Sequence, residues 1–169
     1  NFSSSIDPVA VHTMQLLVGD ESLQFRFVRS KAVPVQVSHN ITYNISTKVL
    51  HSPAGIIQHM TLGIKTVSSE HKADEYKFWD MVEYSSPALI DPAKKYYLYA
   101  KVSKENQTGT FLLSETAIKM EQIAGYYHLL TGILNSEYEG ERSFVELYGF
   151  TEILPGRVTT ERIISPDGK

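Results

Sequence analysis

The run Tyr96-Tyr97-Leu98-Tyr99-Ala100-Lys101-Val102-Ser103 decides the fold class. Tyr96, Leu98, Ala100 and Val102 alternate with Tyr97, Tyr99, Lys101 and Ser103. Successive side chains of a strand point to opposite faces, so this period of two predicts a half-buried strand. The same rhythm returns on either side. Leu23, Phe25 and Phe27 alternate with Gln24, Arg26 and Val28. Phe144, Glu146, Tyr148 and Phe150 alternate with Val145, Leu147 and Gly149. β-Branched and aromatic residues crowd these runs, as a pleated surface favours.

Working outward, strands are expected near 14–18, 23–28, 33–37, 40–50, 56–67, 78–84, 95–103, 109–114, 116–121, 125–135, 142–153 and 158–165. The breaks between them carry turn chemistry, for example Gly19-Asp20-Glu21, Ser52-Pro53-Ala54-Gly55, Asn106-Gln107-Thr108-Gly109 and Pro155-Gly156. Many short strands at this spacing predict an all-β protein, a jelly-roll-like β-sandwich with a C-terminal strand-like extension. Two stretches fit the pattern less well: 68–77 is a weak helical candidate, and 116–123 has the spacing of a helical turn. Residues 1–13 read as an N-terminal arm or linker, 14–155 as the sandwich, and 156–169 as a linker to a following segment. Asp91-Pro92-Ala93-Lys94 is the best internal break, either a loop within one sandwich or a boundary between two subdomains. In the tail, Val158, Ile163 and Ile164 make an apolar alternation that needs another chain or a following domain to cover it.

The composition sets bounds on function. The chain has 169 residues, of which 42% are hydrophobic and 21% charged, an ordinary globular balance that argues against disorder. A chain of this length buries a sizeable core. The formal net charge of −3 gives no reason to expect nucleic-acid binding. With no cysteine, a disulfide framework, a thiolate zinc site and a cysteine nucleophile are all excluded. No apolar run approaches the ~20 residues that span a bilayer, so no membrane insertion is expected. No signal peptide is visible, and the ends read as those of a piece of a longer polypeptide.

A search for chemistry finds no strong motif. The six histidines, at 12, 39, 51, 59, 71 and 128, form no HExxH and no close pair, although His51 and His59 could meet on neighbouring strands. Carboxylates cluster at Glu137, Glu139 and Glu141, and at Asp74, Glu75 and Asp80. Two of them flanking a cleft would suit glycoside hydrolysis, but the first group reads better as a solvated hairpin tip between Asn135 and Arg142. No GxSxG elbow and no glycine-rich phosphate loop is present. No cofactor, metal or catalytic residue is therefore expected. The N-x-[ST] pattern at Asn1, Asn40, Asn44 and Asn106 is a minor pointer to glycosylation. The aromatic residues are the best lead: ten tyrosines and a single tryptophan, Trp79. Flat rings with a polar handle suit interfaces and sugars, and Trp79, Tyr97 and Tyr99 are the candidate glycan-binding residues. Of these, Tyr97 and Tyr99 are expected to be exposed, opposite Leu98 and Val102.

Three stretches carry a resemblance to a known group. They are Tyr96-Tyr-Leu-Tyr-Ala-Lys-Val-Ser103, Gly125-Tyr-Tyr-His-Leu-Leu-Thr-Gly-Ile-Leu-Asn135 and Leu147-Tyr-Gly-Phe-Thr-Glu-Ile-Leu-Pro-Gly-Arg-Val158. Together they resemble phage and prophage tail-fibre or baseplate-type proteins of gut Bacteroidales. Thr159-Thr-Glu-Arg-Ile-Ile-Ser-Pro-Asp-Gly168 is similar to the linker by which such proteins enter a repetitive fibre segment. More loosely, Leu17-Val-Gly-Asp-Glu-Ser-Leu-Gln-Phe-Arg-Phe27 is similar as well. The resemblance implies a non-enzymatic structural module of a virion or other extracellular particle. It also implies a homotrimeric fibre and a surface that meets host-cell glycans. Symmetric association would cover the apolar tail strand.

Overall fold

A computed structural model describes residues 19–66 and 70–147. The expected strands at 14–18 and 158–165, the arm at 1–13 and the linker at 156–169 lie outside the described residues. Within them the chain is an all-β sandwich of ten strands: β1 (Phe25–Val28), β2 (Thr42–Asn44), β3 (Val49–Ser52), β4 (Gly55–His59), β5 (Lys77–Met81), β6 (Tyr84–Ser85), β7 (Tyr96–Ser103), β8 (Thr108–Ser114), β9 (Tyr126–Leu134) and β10 (Phe144–Glu146). Seven of them form one sheet in the order β1-β4-β5-β8-β7-β9-β10, and three form a second in the order β2-β3-β6. Pairing is antiparallel except between β5 and β8, where Asp80 lies beside Thr108 and Met81 beside Gly109. Gly109 makes that pairing possible, since a Cβ there would stand 2.7 Å from Met81 Sδ and 2.8 Å from Val102 Cγ1.

One apolar cluster joins the two sheets. Phe25, Phe27, Ile57, Trp79, Met81, Leu98, Val102, Phe111 and Leu129 of the large sheet pack with Leu50 of the small one, and Tyr43 and Tyr84 rest against them. The alternation expected in β7 is present, because Tyr96, Leu98, Ala100 and Val102 all belong to this cluster. The opposite face is not left to solvent. There Leu23, Tyr99, Leu130, Ile133 and Leu147 form a second buried cluster. A bulge in β9 lets both faces fill: Leu98 lies opposite Gly132 but Tyr99 opposite Leu130, so Thr131 is the extra residue. Leu129 and Leu134, five positions apart, thereby reach the same cluster.

Some expected strands are shorter, for local reasons. Only the single bridge between Val28 and Gln36 survives from 33–37. Pro34 brings no N–H to a ladder, and its carbonyl accepts from Arg26 Nη2. The expected strand 40–50 is two strands joined at 45–48, where Asn44 Oδ1 accepts the Ser46 and Thr47 N–H groups. Ser114 Oγ accepts from Thr116 N and donates to Thr116 O, which turns the chain away from a strand over 116–121. Of the helical candidate at 68–77, residues 68–69 lie outside the described residues, and 70–77 hold only a 3-10 turn, Ala73–Glu75, before β5 begins. Residues 91–94 form a loop, and the β5–β8 pairing carries the large sheet across this point of the sequence.

Candidate functional site

The three aromatic candidates do not form one surface. Trp79 is buried in the inter-sheet core, where its Nε1–H donates to Ser103 O at 2.7 Å and its ring meets Tyr127 edge-on at 6.2 Å. Tyr99 is also fully buried, on the opposite face of the large sheet. Its hydroxyl accepts the Ile118 N–H at 2.7 Å, and burial pushes its pKa up, opposed by that hydrogen bond. The expectation that Tyr99 is exposed is thus corrected. Alternation does carry it to the face opposite Leu98, but that face is a second core rather than solvent. Trp79 is likewise corrected as a ligand platform, since neither ring face is free. Tyr97 alone stays half-buried, with its ring tilted against Tyr99 at 6.4 Å and the Lys95 ammonium 5.4 Å from its centroid.

Three of the six clustered carboxylates are engaged in separate ion pairs, and Asp74, Glu139 and Glu141 are exposed. Asp80 Oδ2 accepts from Lys31 Nζ at 2.9 Å, Glu137 Oε2 from Lys48 Nζ at 3.1 Å, and Glu75 from His71 at 3.0 Å. The hydrogen bonds from His71 and from the Lys72 main chain hold the Glu75 carboxyl below its usual range. The tip at Glu139 and Gly140 is a true hairpin turn. Tyr138 and Glu141 form its bridge, and both central residues have positive φ, 54° and 82°, as a tight I′ turn requires.

The histidines divide into surface and core. His51 pairs with Glu83 at 2.7 Å and does not meet His59. Buried His39 stacks on Phe27 at 3.8 Å, and its Nε2 lies 2.9 Å from Ser52 Oγ. Buried His59 bonds Glu21 O through Nε2 and accepts the Thr61 and Leu62 N–H groups at Nδ1. Desolvation lowers both to a pKa of about 4, helped at His39 by nearby His51 and opposed in each case by a main-chain hydrogen bond. His128 is lowered too, by burial and then by Lys101. Among the described residues no group of three or more histidines, aspartates and glutamates is placed to hold a metal ion. No helix among them is long and apolar enough to cross a membrane.

Sequence reasoning missed the residue that organises one end of the molecule. Arg142, read as part of a solvated hairpin, is buried. Its Nη1 donates to Lys94 O at 2.6 Å and Asn135 O at 3.0 Å. Its Nη2 donates to Asp91 O at 2.7 Å and Leu89 O at 3.4 Å, and the guanidinium lies 5.4 Å from the Tyr96 ring centroid. A planar fork of donors suits several carbonyls at once. No spacing rule marks it, because its partners are main-chain atoms up to 53 positions away. Comparison with known protein-family models, curated proteins and solved structures finds no match to this chain.

Proposed function

We propose that the chain is a non-enzymatic structural module of a phage-tail-like fibre or baseplate, working in a virion or outside the cell and associating as a homotrimer. The observation that carries this proposal is how the polar side chains are used. Arg142, His59 and Tyr99 direct polar atoms to main-chain groups of other segments and so tie loops to the sheets, and Trp79 ties β5 to the end of β7. Buried networks of this kind favour one rigid arrangement. A rigid sandwich with two packed faces is what a module linked to neighbours in a fibre needs, and the resemblance of the strand and turn sequences points the same way. The test is antibody labelling of purified tail-like particles in electron micrographs, with the mass of the isolated chain from light scattering. Label on the tail and three times the 19.0 kDa chain mass are expected. A monomer, with label absent from particles, would overturn the proposal.

Carbohydrate binding is the second reading, favoured by Tyr97, half-exposed beside Lys95. A glycan array with the chain presented multivalently tests it, since multivalency makes weak single-site binding visible. Selective binding lost in Tyr97→Ala is the expected result. A blank array with folded protein would refute it.

A further inference from the structure

The loop between β6 and β7 contains Ile90-Asp91-Pro92-Ala93, and the chain holds a second Ile-Asp-Pro at Ile6-Asp7-Pro8. An aspartyl-prolyl bond is labile for chemical reasons. Its amide is tertiary, and the proline nitrogen, once protonated, departs as a secondary amine. That nitrogen has no N–H, which closes the cyclic-imide route open to other aspartyl bonds. What remains is attack by the aspartyl carboxyl on its own main-chain carbonyl carbon.

Around Asp91 and Pro92 the fold supplies what this attack needs. The Ala93 N–H donates to Asp91 Oδ1 at 3.0 Å, and the ring closed by that hydrogen bond contains the Asp91–Pro92 peptide, so the carboxyl is held beside it. Arg142 Nη2 donates to Asp91 O, the oxygen of the bond in question, at 2.7 Å. The donor is a buried guanidinium whose Nη1 is fixed on Lys94 O and Asn135 O. On the far side the Glu137 N–H holds Pro92 O at 2.9 Å. Asp91 and Pro92 are exposed, so water reaches the bond. A fixed cationic donor on a carbonyl oxygen polarises the carbon and stabilises the oxyanion that forms there. At Lys94 O and Asn135 O the guanidinium only fastens a loop. At Asp91 O it meets a carbonyl that has its own nucleophile on one side and a proline leaving group on the other.

We propose that the chain cleaves itself between Asp91 and Pro92. Asp91 Oδ2 attacks the Asp91 carbonyl carbon, and the oxyanion forms against Arg142. As it collapses, the bond from that carbon to Pro92 N breaks, and Pro92 N takes a proton from solvent. Asp91 is left as a cyclic anhydride, which one water opens to two carboxyl groups. The net change is hydrolysis of one peptide bond, with nothing oxidised or reduced. The event occurs once per chain and is not turnover, so it goes beyond the structural role proposed above without depending on it. The pieces 1–91 and 92–169 stay joined, since β5 of the first pairs with β8 of the second.

The test is denaturing mass spectrometry of the full chain, kept folded at about pH 5.5, where His39 and His59 remain neutral, and unfolded in concentrated urea at the same pH. Asp7–Pro8, also preceded by isoleucine, is the internal standard. In urea the two bonds are expected to break at similar rates. In the folded chain Asp91–Pro92 should break at least about tenfold faster than in urea, a modest share of what one oxyanion donor contributes. Arg142→Met should return it to the rate in urea, and Asp91→Asn should abolish it. Lys48→Met, which removes the ion pair to Glu137 and leaves Arg142 in place, should cleave like the parent. Asp91–Pro92 breaking no faster in the folded parent than in urea would overturn the inference, whether or not Arg142→Met folds. So would parent-like cleavage in Asp91→Asn or in folded Arg142→Met, or a loss in Lys48→Met equal to that in Arg142→Met.

Discussion

Replacing Arg142 with methionine keeps the bulk of the side chain and removes every donor. Three of its hydrogen bonds, at 2.6, 2.7 and 3.0 Å, are well formed, whereas the one to Leu89 O at 3.4 Å counts for little. Bonds from a charged donor contribute about 1.5–3 kcal/mol each. Three at the lower figure give about 4.5 kcal/mol. Water recovers part of this, because Asp91 and Lys94 are at the surface, while loss of the cation over Tyr96 adds about 0.5–1 kcal/mol. The expected loss is about 3–4 kcal/mol. That corresponds to a Tm about 6–16 °C lower for a chain of this size. Lysine at this position places a point charge where a planar fork is needed and should restore less than half of the loss. Equilibrium urea unfolding of the parent, Arg142→Met and Arg142→Lys measures both, and hydrogen exchange locates the damage. Exchange should quicken first at 89–95 and 135–141. A loss under about 1 kcal/mol in Arg142→Met, or a lysine variant as stable as the parent, would refute the reasoning.

Acid should destabilise the fold through His39 and His59. Their pKa values fall from 6.5 to about 4 on folding, so their stability is fully present above about pH 6.5 and is lost as pH falls toward 4. Each contributes about 3 kcal/mol to that slope. Unfolding titrations should show His39→Gln less stable at pH 7 yet less pH-dependent between 4 and 6.5; an unchanged slope would count against the assignment. Gly132→Ala should cost about 2–3 kcal/mol or more, because its Cβ would stand 2.3 Å from Phe144 Cζ and 2.8 Å from Val145 O. A thermal melt equal to the parent's would show that β10 moves aside freely. Trp79 should emit in the blue and resist acrylamide quenching, and Trp79→Ala should cost about 3–5 kcal/mol. Quenching as strong as for free tryptophan would place the ring at the surface instead.

The candidate site was the least legible part of the sequence. Tyr99 shows why: a period of two assigns a residue to a face of its strand, and says nothing of what lies over that face. Here Ile118 and Leu23 come from outside β7 to cover it. Arg142 fails for the complementary reason. An arginine beside three glutamates in a turn-like stretch reads as solvated, and only the meeting of 89–94 with 135–142 buries it. Of the carboxylates that looked clustered in sequence, Asp80, Glu137 and Glu75 go to Lys31, Lys48 and His71 respectively, since strands separate neighbours in sequence and bring distant residues together.

By itself the sequence determined the all-β class, the positions of β1, β5, β7, β8 and β9, the start of β4, and the inward row Tyr96, Leu98, Ala100 and Val102; the strand expected over 56–67 ends at His59, and 148–153 of the one expected over 142–153 lie outside the described residues. These follow from alternation and turn chemistry, which are local. Tertiary structure alone decided that β5 and β8 run parallel, that a bulge at Thr131 gives the large sheet two buried faces, and that Arg142 ties the 89–94 segment to the 135–142 loop. Those features depend on contacts between residues tens of positions apart, where the energy lies in what covers a face and which carbonyls meet a donor.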